Sequence, residues 1–149
     1  MKLYLNFSRK KPIKIKSLGD ALVGLGFDRN AKIPEIEVLN ALLLTINQDS
    51  ALRTKDILSL IATAELTIIN RAINKDYDTL EEWEPNWNDS NELKYYPYFS
   101  VSGGCFGFSY ANCGNSITYI GSRLYYKTKE RAEHAGKTFV DLYKKFNKI

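Results

Sequence analysis

The apolar residues near the start of the chain are spaced two apart, and this spacing changes after residue 16. Leu3, Leu5 and Phe7 alternate with their neighbours, which predicts a β-strand over residues 2–7 with one buried face. Beyond residue 16 the apolar residues recur every three or four positions, as they do on one face of an α-helix. The N-terminal half is therefore predicted to be one strand followed by helices.

Three helices are predicted from this spacing and from the residues that begin and end them. Ser17 is a good capping residue and begins a short helix that Gly26 ends. The first turn of a helix accepts proline, so Pro34 predicts the start of a second helix over residues 34–47. Thr54 begins a third helix that reaches about residue 75. We expect the second and third helices to form a hairpin whose apolar stripes belong to the core. On the second helix this stripe consists of Val38, Leu39, Leu42, Leu43 and Ile46.

The spacing returns to two at residue 94 and predicts a sheet. Turn-forming residues at 102–104 and 112–115 separate the alternating runs, which is typical of an antiparallel meander of three to four strands, the last over residues 124–126. Thr128 then caps a C-terminal helix that covers one face of the meander. The predicted fold class is α+β: an antiparallel β-meander covered by a C-terminal helix, with an N-terminal strand and a helical hairpin.

A length of 149 residues and an apolar content of 44% indicate one globular domain, residues 1–149. We divide it into a strand and helical half (residues 1–75), an acidic loop (residues 76–92) and a meander with its helix (residues 93–149). Two tryptophans in the acidic loop indicate that this loop is ordered. No apolar run approaches the roughly 20 residues of a membrane span, so we expect a cytoplasmic protein.

Charge is distributed unevenly along the chain, although the net charge is only +4. The acidic loop carries seven acidic residues and no basic one. Residues 9–16 form a basic arm, which is the candidate nucleic-acid-binding segment because clustered cations can bind phosphates. The alternative is that these side chains only solvate an edge strand. The five basic residues of the arm are Arg9, Lys10, Lys11, Lys14 and Lys16.

Residues 95–110 contain seven aromatic side chains and no charge. Three interpretations compete: the core of a small sheet, a stacking platform for bases, or a face that binds a protein. A half-buried strand hides every second side chain, so we assign most of these residues to the core and the remaining tyrosines to a contact surface. The candidate partner-binding residues are Trp83, Trp87, Tyr95, Tyr96 and Tyr98.

Candidate catalytic and metal-binding residues are scarce. His134 is the only histidine, and no nearby nucleophile and acid form a recognisable catalytic pattern with it, so we interpret it as a solvated helix residue. Together with Cys105 and Cys113 it supplies three soft ligands, one fewer than a structural zinc site uses. The sequence therefore predicts a non-enzymatic protein without a metal or cofactor.

Three runs of the C-terminal half resemble the shared C-terminal portion of small proteins that phages, prophages and other mobile elements of Bacteroides-type bacteria carry. The runs are EPNWNDSNELKYYPYF, GFSY and YIGSRLYYKTKERAEHAGKTFVDLYKKF, within residues 83–146. Residues 121–146 are the most specific part. The resemblance implies a biological setting, and no activity or site residue follows from it.

This setting favours an accessory protein that acts by stoichiometric binding to a host protein or ribonucleoprotein. An inhibitor of a host defence nuclease, such as a CRISPR effector, fits the split charge because an acidic segment can imitate nucleic acid. One alternative is a protein that binds RNA or single-stranded nucleic acid through the basic arm and exposed tyrosines. Another is a virion or assembly component, and the oligomeric state stays open.

Overall fold

The computed structural model describes residues 14–76, 78–115 and 124–149. Within them the chain forms five helices and a two-stranded antiparallel sheet, which confirms the α+β class. The predicted strand over residues 2–7 and the part of the predicted meander between residues 115 and 124 lie outside the described residues. In chain order the elements are α1 (Leu18–Gly24), α2 (Pro34–Leu43), α3 (Thr54–Asn74), β1 (Lys94–Ser102), β2 (Cys105–Gly114), α4 (Lys129–Thr138) and α5 (Val140–Phe146).

Local side-chain signals determine where α1 and α3 begin. The Ser17 hydroxyl accepts a hydrogen bond from the backbone N–H of the residue three positions later, at 3.1 Å. Gly26, with a φ of 92°, follows the end of α1. At α3 the Asp56 carboxylate accepts from the Arg53 backbone N–H at 2.8 Å, so Arg53 and not Thr54 is the capping residue. Both helices begin within one residue of the predicted position.

α2 is shorter and more exposed than the sequence predicts. It ends at Leu43 instead of residue 47, and Ile36 is its only buried residue. Val38 is 67% exposed and Leu42 is 41% exposed, so the assignment of these two residues to the core is wrong. The reason is that, among the described elements, α2 packs only against α3. The opposite side of α2 therefore faces solvent.

α3 is the central helix of the described structure, and it packs against α1, α2, α4 and α5. Its contact with α2 is one that the predicted hairpin requires. Its side chains pack with apolar residues of the C-terminal segment in one buried cluster. This cluster is the core that the helical half shares with the C-terminal half. The α3 residues in this cluster are Leu66, Ile69, Ala72 and Ile73, and the C-terminal ones include Tyr126, Ala132, Ala135, Phe139 and Tyr143.

β1 and β2 form a hairpin that pairs along its whole length. Gly103 and Gly104 make its turn with φ values of 57° and 80°, the left-handed conformations that a tight two-residue turn requires. The register shifts between Tyr98 and Phe99, because Ser109 is an extra residue on the opposite strand. This bulge decides which side chains of β2 share a face with those of β1.

The last strand of the predicted meander is reduced to a single bridge. Within residues 124–126 only Tyr126 pairs with a strand, and its partner is Tyr95 of β1. The Tyr95 N–H donates to the Tyr126 carbonyl at 3.0 Å, and the Tyr126 N–H donates back at 2.7 Å. Residues 124–126 therefore lie beside β1 and not beside β2.

The predicted single C-terminal helix is two helices. The chain leaves the helical conformation at Phe139, whose φ and ψ are −115° and 32°, and whose side chain is 6% exposed. This break lets α4 cover the sheet while α5 packs along α3. α4 approaches the strands at Gly136, where a β-carbon would lie 2.3 Å from a ring carbon of Phe108 and 2.8 Å from Pro97.

A buried polar network joins α3 to the segment before α4. Asn74 is 1% exposed, and its Nδ2 donates to the Tyr125 carbonyl at 2.7 Å. Its Oδ1 accepts from the Lys127 backbone N–H at 3.1 Å. Asn70 donates to the same Tyr125 carbonyl at 2.7 Å. These bonds satisfy the Tyr125 carbonyl and the Lys127 N–H, so the network holds the backbone of this segment against α3.

Two buried tyrosine hydroxyls meet beneath α5. The hydroxyl oxygens of Tyr126 and Tyr143 lie 3.0 Å apart, and the two residues are 0% and 3% exposed. Burial raises the pKa of Tyr126 to about 12. Burial and the neighbouring phenol raise the pKa of Tyr143 well above its usual value. Both hydroxyls are therefore held in the neutral form.

We expect the protein to lose stability as the pH rises above about 10. The unfolded chain releases the Tyr126 proton near pH 10, whereas the folded chain keeps it until about 12. The raised pKa of Tyr126 therefore contributes its full stabilisation of the folded chain below pH 10. Between pH 10 and about pH 12 this contribution falls by about 1.4 kcal/mol per pH unit. Urea unfolding from neutral pH to pH 11 measures this slope. The Tyr126→Phe variant should have a shallower slope, and an unchanged slope would contradict the assignment.

Candidate protein-binding surface

The two faces of the β1–β2 hairpin have different environments. On the inner face, Phe99 and Phe106 pack against the core, and Phe108 contacts α4. Tyr98 and Tyr110 lie on the other face and are 46% and 50% exposed. Side chains alternate along a strand, so Tyr96 shares this outer face. We call the surface formed by Tyr96, Tyr98 and Tyr110 the tyrosine face.

The centre of the tyrosine face is a stacked pair of rings. Tyr98 and Tyr110 are direct partners in the hairpin, and their ring centroids are 5.0 Å apart with an interplanar angle of 26°. Beside them the Ser100 and Ser109 hydroxyls are hydrogen-bonded at 2.7 Å. The stacked rings hold each other in place, so they present an ordered aromatic surface to solvent.

A second aromatic group continues from one end of the tyrosine face. The Tyr96 ring meets the Tyr125 ring edge-on at 5.9 Å, and the Trp87 ring meets Tyr125 edge-on at 5.2 Å. Burial raises the pKa of the Tyr96 hydroxyl, and the neighbouring phenols add to this effect. Trp87 is half-buried. Tyr125 is 7% exposed, so a buried ring links the hairpin to the acidic loop.

Lys94 fixes the acidic loop against the start of β1. Its side chain is 1% exposed, and the ammonium lies 5.4 Å from the centre of the Trp87 ring. The ammonium pairs with the Glu92 carboxylate at 3.1 Å and donates to the Glu92 and Asp89 carbonyls at 3.0 and 3.3 Å. Lys94 lies two residues before Tyr96 and so shares its face of β1, which means that the loop that covers Lys94 borders the tyrosine face.

The Glu92 carboxylate orders the remainder of the loop. It accepts from the Trp83 indole N–H at 3.1 Å and from the Asn86 backbone N–H at 2.7 Å. Glu82 makes a two-point contact with the Arg71 guanidinium at 2.7 and 2.9 Å, and these hydrogen bonds lower the pKa of Glu82. The prediction of a loop ordered by its indoles is confirmed for the described part, residues 76 and 78–92.

Several carboxylates of the acidic loop are available to a partner. Asp78, Glu81 and Glu84 are exposed and make no ion pair with another described residue. The uncharged residues 95–115 adjoin this loop on the tyrosine face. The candidate surface therefore has an aromatic centre and an acidic edge.

The structure separates the predicted partner-binding residues. Tyr96 and Tyr98 lie on the tyrosine face, and Trp87 is linked to Tyr96 through the Tyr125 ring. Tyr95 lies on the inner face and packs against the core, and Trp83 holds the loop through Glu92. The sequence prediction did not include Tyr110 or Lys94. Lys94 could have been singled out from the sequence, because it is a charged residue at the start of an otherwise uncharged strand.

The predicted nucleic-acid-binding residues are described only in part. Arg9, Lys10 and Lys11 lie outside the described residues. Lys14 and Lys16 are exposed, on either side of Ile15, which is 2% exposed. Ile15 thus anchors the end of the basic arm to the body of the protein.

His134 has a structural role and is not the solvated residue that the sequence suggested. Its Nε2 lies 2.5 Å from the Ile15 carbonyl, and its Nδ1 lies 3.4 Å from the Thr138 hydroxyl. It is half-buried and ties α4 to the segment before α1. Cys105 and Cys113 are exposed free thiols.

Neither a metal site nor a membrane helix is found in the part of the chain that the structure describes. No three His, Cys, Asp or Glu side chains there are grouped closely enough to hold a metal ion. None of the described helices has the length and apolar character to cross a bilayer. Comparisons with models of protein families, with curated proteins and with solved structures find no match to this chain.

Proposed function

We propose that this protein is a non-enzymatic binding protein that acts stoichiometrically, with the tyrosine face and the acidic loop as its contact surface. The partner we propose is a basic surface of a host protein or ribonucleoprotein. The observation that carries the proposal is the stacked Tyr98–Tyr110 pair, which is half-exposed on a sheet face that no described element covers.

Exposed, ordered aromatic rings suit protein recognition. Tyrosine is enriched at the centres of protein interfaces, because it buries a large area at a small cost in side-chain entropy. Tyr98 and Tyr110 already restrict each other, so little further ordering is needed on binding. The hydroxyl groups leave the surface able to form hydrogen bonds with a partner.

The acidic edge favours a basic protein surface over nucleic acid. The hairpin carries no arginine or lysine from residue 95 to residue 115, so phosphates next to the tyrosine face would have no cation from it. The acidic loop, which packs against the start of β1, would instead repel them. A partner rich in arginine suits both features, because guanidinium groups stack on tyrosine rings and pair with carboxylates. A nucleic-acid-binding groove is such a surface.

The resemblance of residues 83–146 to phage and mobile-element proteins supports the choice of partner. A defence nuclease of the host, such as a CRISPR effector, must bind nucleic acid in a basic groove, and a protein whose acidic loop occupies this groove would inhibit it. The proposed setting of this encounter is the host cytoplasm. We also retain the prediction that the hairpin belongs to an antiparallel meander of three to four strands, which would support the tyrosine face.

We expect replacement of both stacked tyrosines by alanine to weaken partner binding by about 100-fold or more, since the loss of each central aromatic side chain costs about 2 kcal/mol. The partner is first captured from host-cell lysate with the tagged full chain, and its affinity is then measured with purified components. The control is the Tyr98→Phe/Tyr110→Phe variant, which keeps the stacked rings and should bind within a few-fold of wild type. Equal affinity of the alanine variant and wild type would refute the proposed surface.

A second candidate function is the binding of single-stranded nucleic acid, which the exposure of Lys14 and Lys16 favours. Fluorescence anisotropy with single-stranded RNA and DNA at low and physiological salt separates the two candidates. The protein-binding proposal predicts no tight binding. Tight binding that falls steeply with salt and disappears in a Lys14→Ala/Lys16→Ala variant would overturn it in favour of nucleic acid.

A further inference from the structure

Lys94 is the only charged residue that is buried in the part of the chain that the structure describes. An ammonium group has three N–H donors, and three oxygen atoms lie within 3.3 Å of this one. They are the Asp89 carbonyl, the Glu92 carbonyl and the Glu92 carboxylate. The Trp87 ring lies beside the same group at 5.4 Å. The acidic loop therefore supplies an acceptor for every donor of the buried ammonium.

Stability alone does not account for this buried ion pair. The Lys94 side chain is 1% exposed and that of Glu92 is 24% exposed, so both charged groups have lost most of their water. The attraction between two such groups does little more than offset this loss, and apolar residues of similar volume often leave the stability unchanged or raise it. An ion pair differs from an apolar pair in that it requires one arrangement of donors and acceptors. The distinctive contribution of the pair is therefore a fixed position of the loop.

The position of the loop decides what stands beside the tyrosine face. Lys94 and Tyr96 share the outer face of β1, so the part of the loop that covers Lys94 lies next to the aromatic rings. The Glu92 carboxylate extends the same contact to the Trp83 indole N–H and the Asn86 backbone N–H. The hairpin has no charged residue after Lys94, so it offers no carboxylate of its own. The acidic edge of the contact surface is thus the loop that Lys94 holds.

We propose that Lys94 is a positioning residue for partner binding, which holds the acidic loop beside the tyrosine face so that an arginine-rich surface meets rings and carboxylates together. This inference rests on the function proposed above and names the residue that joins the two parts of the contact surface. Lys94 is covered by the loop, so it acts through the loop and does not touch the partner. A loop that is already ordered also needs less ordering on binding.

The variant Lys94→Met separates positioning from simple electrostatics, because the two predict opposite results. The probe is an octa-arginine peptide, and its affinity for the full chain is measured by fluorescence anisotropy at physiological salt. Loss of a positive charge should by itself strengthen the binding of a cationic peptide. Release of the loop should instead weaken binding by about 10-fold, since the loop must then be ordered on binding. The control is Lys144→Met, which removes the same charge at an exposed position of α5 and should bind the peptide at least as tightly as wild type.

A second variant, Lys94→Met/Glu92→Gln, keeps the net charge and serves where Lys94→Met alone fails to fold. Glutamine retains an acceptor for the Trp83 indole or the Asn86 N–H, and no buried carboxylate is left unpaired. The midpoint of urea unfolding should therefore stay close to that of wild type, while the affinity for octa-arginine falls by about 10-fold. A purely structural role would lower both together. Wild-type affinity in this variant, or tighter binding by a folded Lys94→Met variant, would contradict the role of Lys94.

Failure of the proposed function would give a different result. If the wild-type chain does not bind octa-arginine, or if Tyr98→Ala/Tyr110→Ala binds it as tightly as wild type, the contact surface itself is wrong and the inference about Lys94 is wrong with it. If wild type binds the peptide and the tyrosine variant binds it more weakly, the surface is supported. Normal binding by both Lys94 variants would then overturn the positioning role alone.

Discussion

Replacement of Gly136 by alanine is expected to destabilise the protein by about 2–3 kcal/mol, although alanine is the better helix former by about 1 kcal/mol. The added β-carbon would lie 2.3 and 2.6 Å from two ring carbons of Phe108 and 2.8 Å from Pro97. These atoms belong to the strands that α4 covers. Either α4 moves away from the hairpin, or Phe108 leaves its place in the packing of Phe99 and its neighbours.

Thermal and urea unfolding of Gly136→Ala measure this effect, and a loss of several degrees in melting temperature is expected. The matched control is Lys129→Ala on the same helix, where the side chain is 59% exposed and the change should stay within about 0.5 kcal/mol. The sign of the effect is decisive. A stabilised Gly136→Ala variant would mean that α4 does not approach the hairpin this closely.

Replacement of Asn74 by leucine is expected to cost about 2–4 kcal/mol, because it removes the partners of buried backbone groups while almost conserving volume. The Lys127 N–H loses its acceptor, and the Tyr125 carbonyl loses one of its two donors from α3. An apolar side chain at this site cannot replace either bond. The buried segment before α4 is then held less firmly against α3.

Urea unfolding followed by circular dichroism measures this loss in free energy. Asn88→Leu, at an exposed position of the acidic loop, makes the same chemical change and should leave the free energy of unfolding within about 0.5 kcal/mol of wild type. Asn74→Asp retains an acceptor for the Lys127 N–H but buries a carboxylate, so it should also destabilise. A neutral Asn74→Leu variant would show that the network contributes no net stability.

The elements that the sequence predicted well are those set by neighbouring residues. The Ser17 cap and the Gly103–Gly104 turn depend on contacts a few residues apart, so their signals are visible in the sequence. The exposure of Val38 depends instead on how many elements surround α2. The break at Phe139 depends on the core that its side chain enters. Neither can be inferred from the spacing of apolar residues alone.

The same distinction applies to the candidate site. Alternation along one strand placed Tyr96 and Tyr98 together, and the structure agrees. Tyr110 joins them through the pairing of β1 with β2, and the bulge at Ser109 sets that register. Neighbouring side chains of β1 point to opposite faces, so Tyr95 lies on the inner face when Tyr96 lies on the outer one. The burial of Lys94 depends on the fold of the acidic loop, which has no periodic sequence pattern to predict it.

The arrangement of Trp83 and Trp87 has an optical consequence. They are the only two tryptophans of the chain, and both lie in the acidic loop that borders the tyrosine face. Trp87 sits against a buried ammonium group and the Tyr125 ring. Intrinsic indole emission therefore reports on this loop and not on the helical hairpin. A ligand that arrives at the tyrosine face should therefore change the emission of the unlabelled protein.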